Sequence, residues 1–189
     1  MARWQPNASE RLAQAALELF AERGYEDTTV IDIARRAGLT KSTFFRHFQD
    51  KREVLFGAGT FTGLIVEAIT AAPETAAPLE AVACALDAAG REVFTPARRE
   101  FAALRQAVIA ANPELREREA LKGIGLTQSI ADALGRRGVS SLTSCVAAEL
   151  CALAWKLAYE RWASPDGDGD FGELGRQALD EVRQASTVC

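Results

Sequence analysis

Histidine is nearly missing: His47 is the only one in 189 residues. A metal centre built on paired imidazoles is therefore excluded, and neither a metal nor a cofactor is expected. Cysteine is scarce. Cys84, Cys145, Cys151 and Cys189 show no C-x-x-C spacing, so reduced thiols in a cytosolic protein are expected. No uninterrupted apolar run approaches the roughly 18 residues of a membrane span, so no membrane partner is expected. The opening segment MARWQPNASERLAQ lacks the basic-then-apolar order and cleavage site of a secretory signal. A cytoplasmic location follows as an expectation. No nucleophile, base and acid group together, so enzymatic chemistry is not expected.

What is present suits a folded chain. Apolar residues make up 48% and charged residues 25%, enough for a real core and too balanced for disorder. The net charge of −4 is unevenly spread. Residues 1–52 hold nine Lys/Arg against seven Asp/Glu; the rest hold thirteen against nineteen. A slightly basic head on an acidic body places any anionic partner at the head.

Alanine, leucine, glutamate and arginine dominate, and no strand-like alternation with hairpin turns is evident. The spacing predicts an all-α protein. A first helix over 9–23 carries Leu12, Ala15, Ala16, Leu19 and Phe20 as one stripe and stops at Gly24. A second starts at Thr28 or Thr29, with Asp32 placed for a capping box, and ends at Gly38. A third runs over 41–48 after Thr40. Only Gly38, Leu39 and Thr40 join these two, which makes a helix-turn-helix. Asp50, with Glu53 three residues on, is expected to cap a fourth helix over about 50–71. Further helices are expected at about 77–93, 96–111, 114–136, 140–163 and 170–186. Ser140 or Ser141 and Asp170 serve as caps. The domain division is 1–52 for a helix-turn-helix head and 53–189 for a helical body.

The segment GYEDTTVIDIARRAGLTKSTFFRHFQDKREVLF, residues 24–56, resembles the DNA-binding head of the TetR family of ligand-responsive transcriptional regulators. The matching features are Gly24-Tyr25, Thr28 and Thr29, Ile33-Ala34, Ala37-Gly38, the run Thr40 to Thr43, Phe45, His47-Phe48, and Asp50-Lys51 before Val54-Leu55. Ala16, Leu19 and Phe20 fit upstream. Beyond Phe56 only length and helical character agree.

The resemblance implies an all-α fold: an N-terminal three-helix, homeodomain-like head and a C-terminal helical domain for ligand binding and dimerisation. It implies a homodimer on a palindromic double-stranded DNA operator, released by a small-molecule effector. An alternative is a dimeric interaction module or activator that keeps the head with weak or altered DNA specificity. By the same resemblance Lys41, Ser42 and Thr43 face the groove. Thr29, Phe45, His47 and Lys51 lie along the backbone. Thr40 opens the recognition helix, and Arg46 is exposed by phase. Phe45 departs from the family, where tyrosine is common; it keeps an apolar contact and loses a hydrogen bond to phosphate. In the body, Phe94, Phe101, Cys151, Trp155 and Tyr159 are candidate pocket residues, with Arg105, Gln106 and Gln128 as polar anchors. The last two helices are expected to pair with a second copy through Leu150, Leu153, Leu157, Trp162, Leu174, Leu179 and Val182.

Three weaker signals lead elsewhere. Asp166, Asp168 and Asp170 alternate like a calcium loop, but Phe171 and Gln177 stand where glycine and glutamate are needed. Gly123-Ile-Gly125 lacks a preceding strand and a third glycine. Cys145 and Cys151 fall on different helix faces, which disfavours a redox pair.

Overall fold

The structure, a computed structural model, describes residues 8–57, 60–164 and 167–188. Among these residues there are nine α-helices, two short 3-10 turns and no strand. The described residues fall into two compact units, 1–59 with 101–119, and 60–100 with 120–189.

The first unit holds α1 (Ala8–Arg23), α2 (Val30–Arg36) and α3 (Lys41–His47). The expected stripe of α1 is buried in full: Leu12, Ala15, Ala16, Leu19 and Phe20, with Leu17 added. Of the two threonines before α2, Thr29 is the cap. Its hydroxyl accepts from the Asp32 N–H and the Asp32 carboxylate accepts from the Thr29 N–H, a closed capping box. Thr28 is buried instead and donates to the Gly24 carbonyl at 2.8 Å. The α2–α3 turn passes through Gly38 at φ +66°, a conformation that penalises any Cβ. Ile33, Ala34, Phe44 and Phe48 then close on the α1 stripe.

The continuous helix expected over 50–71 does not form. Asp50 Oδ1 does accept from the Arg52 and Glu53 N–H groups, at 2.8 and 3.1 Å. The turn it starts is a 3-10 turn, Glu53–Leu55, and the chain leaves it through Gly57 at φ +68°. Helix α4 begins separately (Thr60–Ala71). Likewise the segment expected from 96 opens as a 3-10 turn, Pro96–Arg98, before α6 (Arg99–Ala111). Residues 101–111 of α6 and the start of α7 (Pro113–Arg136) join the first unit. Val108, Ile109 and Leu115 complete its core beside Val54 and Leu55. A three-helix head of this size has too little apolar surface to be stable alone, and these residues supply the missing face. The packing division therefore does not coincide with a cut at residue 52.

The second unit packs α4 on α5 (Pro78–Glu92), and sets α8 (Ser141–Ala163) and α9 (Phe171–Val188) against α5 and each other. Glycine sets the α5–α9 distance: a Cβ on Gly90 would stand 2.7 Å from the Gly172 nitrogen. Arg137 closes the C-terminal end of α4, donating to the Ala72 and Pro73 carbonyls at 2.8 and 2.6 Å. Ser140 caps α8, and Asp170 Oδ1 accepts from the Gly172 and Glu173 N–H groups at the start of α9. Pro165 and Asp166, part of the expected loop, and Cys189 lie outside the described residues. By length and composition α8 could cross a bilayer. Glu149, Lys156, Glu160 and Arg161 interrupt it, and its packing on α5 and α9 makes it a bundle helix.

Candidate nucleic-acid interface

Helix α3 has two faces with different work. Phe44 and Phe48 point inward, their ring centroids 5.5 Å apart. Lys41, Ser42, Phe45 and Arg46 point outward, at the i, i+1, i+4, i+5 spacing of one helical face. Thr43 and His47 sit half-buried on the flanks. Thr40 caps the helix: its hydroxyl accepts from the Thr43 N–H at 3.1 Å and lies 3.0 Å from the Thr43 hydroxyl. The helix, KSTFFRH, contains no carboxylate. Its exposed face is cationic and polar, with one apolar ring. Phe45 is 49% exposed and stands under the Lys41 ammonium, 5.8 Å from Nζ to the ring centroid. An exposed helix of this chemistry suits the major groove, where amines meet base acceptors and an apolar ring meets a thymine methyl.

The sequence expectation thus finds Thr40, Lys41, Ser42, Thr43, Phe45, Arg46 and His47 on one short helix and its cap. Thr29 is exposed at the N-cap of α2, with its hydroxyl 2.5 Å from the Asp32 carboxylate. That hydrogen bond, more than any other influence, holds the Asp32 carboxyl below its ordinary range. Lys51 is engaged locally. Its ammonium donates to the Tyr25 carbonyl at 2.7 Å and lies 4.0 Å from the Tyr25 ring centroid. Burial pushes the Tyr25 phenol well up, so the ring stays neutral.

Arginines tie the elements of the first unit together. Arg36 of α2 grips Glu22 of α1 through two hydrogen bonds, 2.8 and 2.7 Å, and reaches Glu18 at 3.3 Å. The Arg36 bond lowers the Glu22 carboxyl. Arg11 donates to the Ala37 carbonyl at the α2–α3 turn. Arg105 donates from Nε to the Leu55 carbonyl at 2.8 Å and from Nη1 to Glu119 at 3.1 Å, and lies over the Phe56 ring. Arg118 pairs with Glu53, and Arg52 with Glu114 at 3.4 Å. None of these pairs is visible in periodicity, because the partners lie 14 to 65 residues apart.

The candidate pocket residues divide between the units. Phe94, Trp155 and Tyr159 meet in a ring cluster with Phe61, Trp162 and Phe171 in the second unit. Cys151 is buried in that unit, and burial pushes its thiol up to about 12, so it stays protonated. Phe101 packs on the core of the first unit, and Arg105 is the clasp described above. Gln106 is half-buried in the same unit; Gln128 is exposed and bonded to Asp132. Among the expected dimer residues Leu153 is 46% exposed, and Leu150, Leu157 and Leu174 are half-buried. Leu179 and Val182 are buried, and Trp162 is wholly buried within its own protomer. Trp162 therefore presents no surface to a partner.

The fold and this face define a helix-turn-helix protein with a helical body. Residues 12–58 match the family model for bacterial regulatory proteins of the tetR family. Over 65 residues the chain is 48% identical to the regulator TcmR of Streptomyces glaucescens, covering 34% of this chain and 27% of that one. Two further curated regulators, SrpR and TtgW of Pseudomonas putida, match this chain over only 22% and 34% of their own length. Thermus thermophilus FadR, a TetR-family transcriptional repressor solved with lauroyl-CoA, is 26% identical across 93% of both chains, with a TM-score of 0.54. NalD, a repressor of a multidrug efflux pump in Pseudomonas aeruginosa, shares the fold at 18% identity and a TM-score of 0.57 over 94% of each chain. The chain is thus similar to TetR-family transcriptional regulators, through its head in sequence and over nearly its whole length in fold, and the relatives named are regulators.

Proposed function

We propose that this chain is a homodimeric transcriptional repressor that binds a palindromic DNA operator and leaves it when a small-molecule effector binds the body. The carrying observation is the outward face of α3: Lys41, Ser42, Phe45 and Arg46 exposed together on a helix without a carboxylate. The likeness to the Thermus thermophilus repressor across 93% of both chains supports the repressor role and an effector site in the body.

The dimer draws support from α8. Leu142, Val146 and Leu153 are 77%, 50% and 46% exposed, and with Leu150 and Leu157 they form one helical stripe. An apolar stripe of this length on a core helix suits a two-fold contact with the same stripe of a second copy. Work on DNA inside the cell places the protein in the cytoplasm.

The test is binding to the intergenic DNA upstream of its own gene, titrated with salt and footprinted. Affinity should fall about 10³–10⁵-fold between 50 and 200 mM salt if roughly six to ten phosphates are contacted. The footprint should show two half-sites about one helical turn apart. Equal affinity for random duplexes would instead favour an interaction module that keeps the head only as a scaffold.

A further inference from the structure

We propose that the second unit holds a subsite for a planar aromatic carboxylate. The carboxylate accepts from Arg99 Nε and Trp162 Nε1, and the ligand's ring takes the place of the Phe94 ring. This rests on the reading of the chain as an effector-responsive regulator and names the chemistry of its effector.

The first observation is a pair of unsatisfied donors. Arg99 Nε and Trp162 Nε1 are buried atoms with no hydrogen-bond partner among the described residues, and the Trp162 side chain is wholly buried. Buried N–H groups nearly always find an acceptor. The two residues are neighbours: the Arg99 guanidinium carbon lies over the Trp162 ring, 5.4 Å from its centroid. The other guanidinium nitrogens are committed, Nη1 to the Gly167 carbonyl and Nη2 to the Gly169 carbonyl at 2.7 Å. The guanidinium is pinned, and Nε is what remains. A cationic N–H beside a neutral one suits an anionic oxygen acceptor.

The second observation is the position of Phe94. Its centroid lies 4.4 Å from Phe171, 5.2 Å from Trp155, 5.4 Å from Trp162 and 6.1 Å from Phe61. It is the ring at the middle of the cluster, yet it is half-buried and belongs to no helix. It sits in the connection between α5 and the Pro96–Arg98 turn. A central ring on a loop can leave without unwinding a helix. The space it leaves is walled by aromatic faces and edges, which select a flat aromatic guest. An ordinary aromatic core would account for the rings but not for the two donors.

The experiment is calorimetric titration of the full chain, without DNA, with 2-naphthoate and its neutral isostere naphthalene-2-carboxamide. Saturable binding of one naphthoate per chain is expected, with the amide weaker by about tenfold or more. Trp162→Phe keeps the ring and removes the donor, and should weaken naphthoate by about tenfold. Arg99→Lys keeps the charge and removes Nε–H, with the same direction. Phe94→Ala removes the ring to be displaced and should tighten binding. The proposal fails if neither the parent nor Phe94→Ala binds naphthoate saturably, or if Trp162→Phe binds it as tightly as the parent. Should Arg99→Lys or Phe94→Ala not fold, as judged by circular dichroism, the parent and Trp162→Phe decide. Because DNA is absent, loss of this binding counts against the subsite alone. Intact naphthoate binding in a protein that ignores DNA counts against the regulator reading alone.

Discussion

The Lys51 ammonium donates to the Tyr25 carbonyl at 2.7 Å while lying 4.0 Å from the centroid of the same residue's ring. One cation thus ties the segment after α3 to the loop after α1. Lys51→Met keeps most of the stem and removes both interactions. Urea unfolding should show a loss of about 1 kcal/mol. An unchanged midpoint would mean that the clasp holds nothing.

Lys41 has the opposite character, being exposed on the outward face of α3. Lys41→Ala should leave the urea midpoint within about 0.5 kcal/mol of the parent. It should weaken operator binding by about 1–3 kcal/mol if the lysine reads guanine, and most at one base position. Equal operator affinity of mutant and parent would remove Lys41 from the reading set.

Asp50 makes acid stability dependent on the turn after α3. Burial alone would raise its carboxyl. Hydrogen bonds from the Arg52 side chain and from the Arg52 and Glu53 N–H groups outweigh that and hold it below the ordinary range. A depressed carboxyl stabilises the fold fully above its unfolded value of about 3.9, and the benefit drains away as pH falls through the lower folded value. Urea midpoints should therefore drop from pH 5 toward pH 2, and Asp50→Asn should flatten part of that drop. A mutant curve parallel to the parent's would exclude Asp50 as a source.

Gly38 turns the chain between α2 and α3 at φ +66°, and a Cβ there would stand 3.0 Å from Arg11 Nη2. Gly38→Ala should cost about 1–2 kcal/mol, mostly backbone strain, since the arginine tip can yield. The measurement is the thermal midpoint, and a rise in it would contradict the strained turn.

The exposed α8 stripe gives a test of assembly. Leu153→Glu places a charge at a position that is 46% exposed in the protomer. Sedimentation equilibrium should change from dimer to monomer with helical content retained. A mutant that stays dimeric would move the contact off this stripe.

The head was legible because its signals are local. The α1 stripe, the Thr29–Asp32 box and the Gly38 turn each read within a few residues, and all stand as expected. Asp50 misled for the same reason. A cap describes one turn and says nothing of how far the helix continues, and Gly57 ends this one early. Trp162 shows the limit in the body. Helical phase alone offers it to a partner, yet Phe94 and Phe171, from two other segments, enclose it. The bond from Arg105 Nε to the Leu55 carbonyl spans 50 residues, a distance over which helical phase carries no signal.

Helices α2 and α3 are seven residues each, about half the length at which a lone helix persists in water. Their shape is on loan from buried residues outside both helices, Leu12 in α1 and Leu115 in α7 among them. A genetic screen for DNA-blind variants should accordingly return substitutions at such sites alongside those at Lys41. Only a stability assay on each isolate would tell a lost letter-reader from a collapsed reading frame of helices.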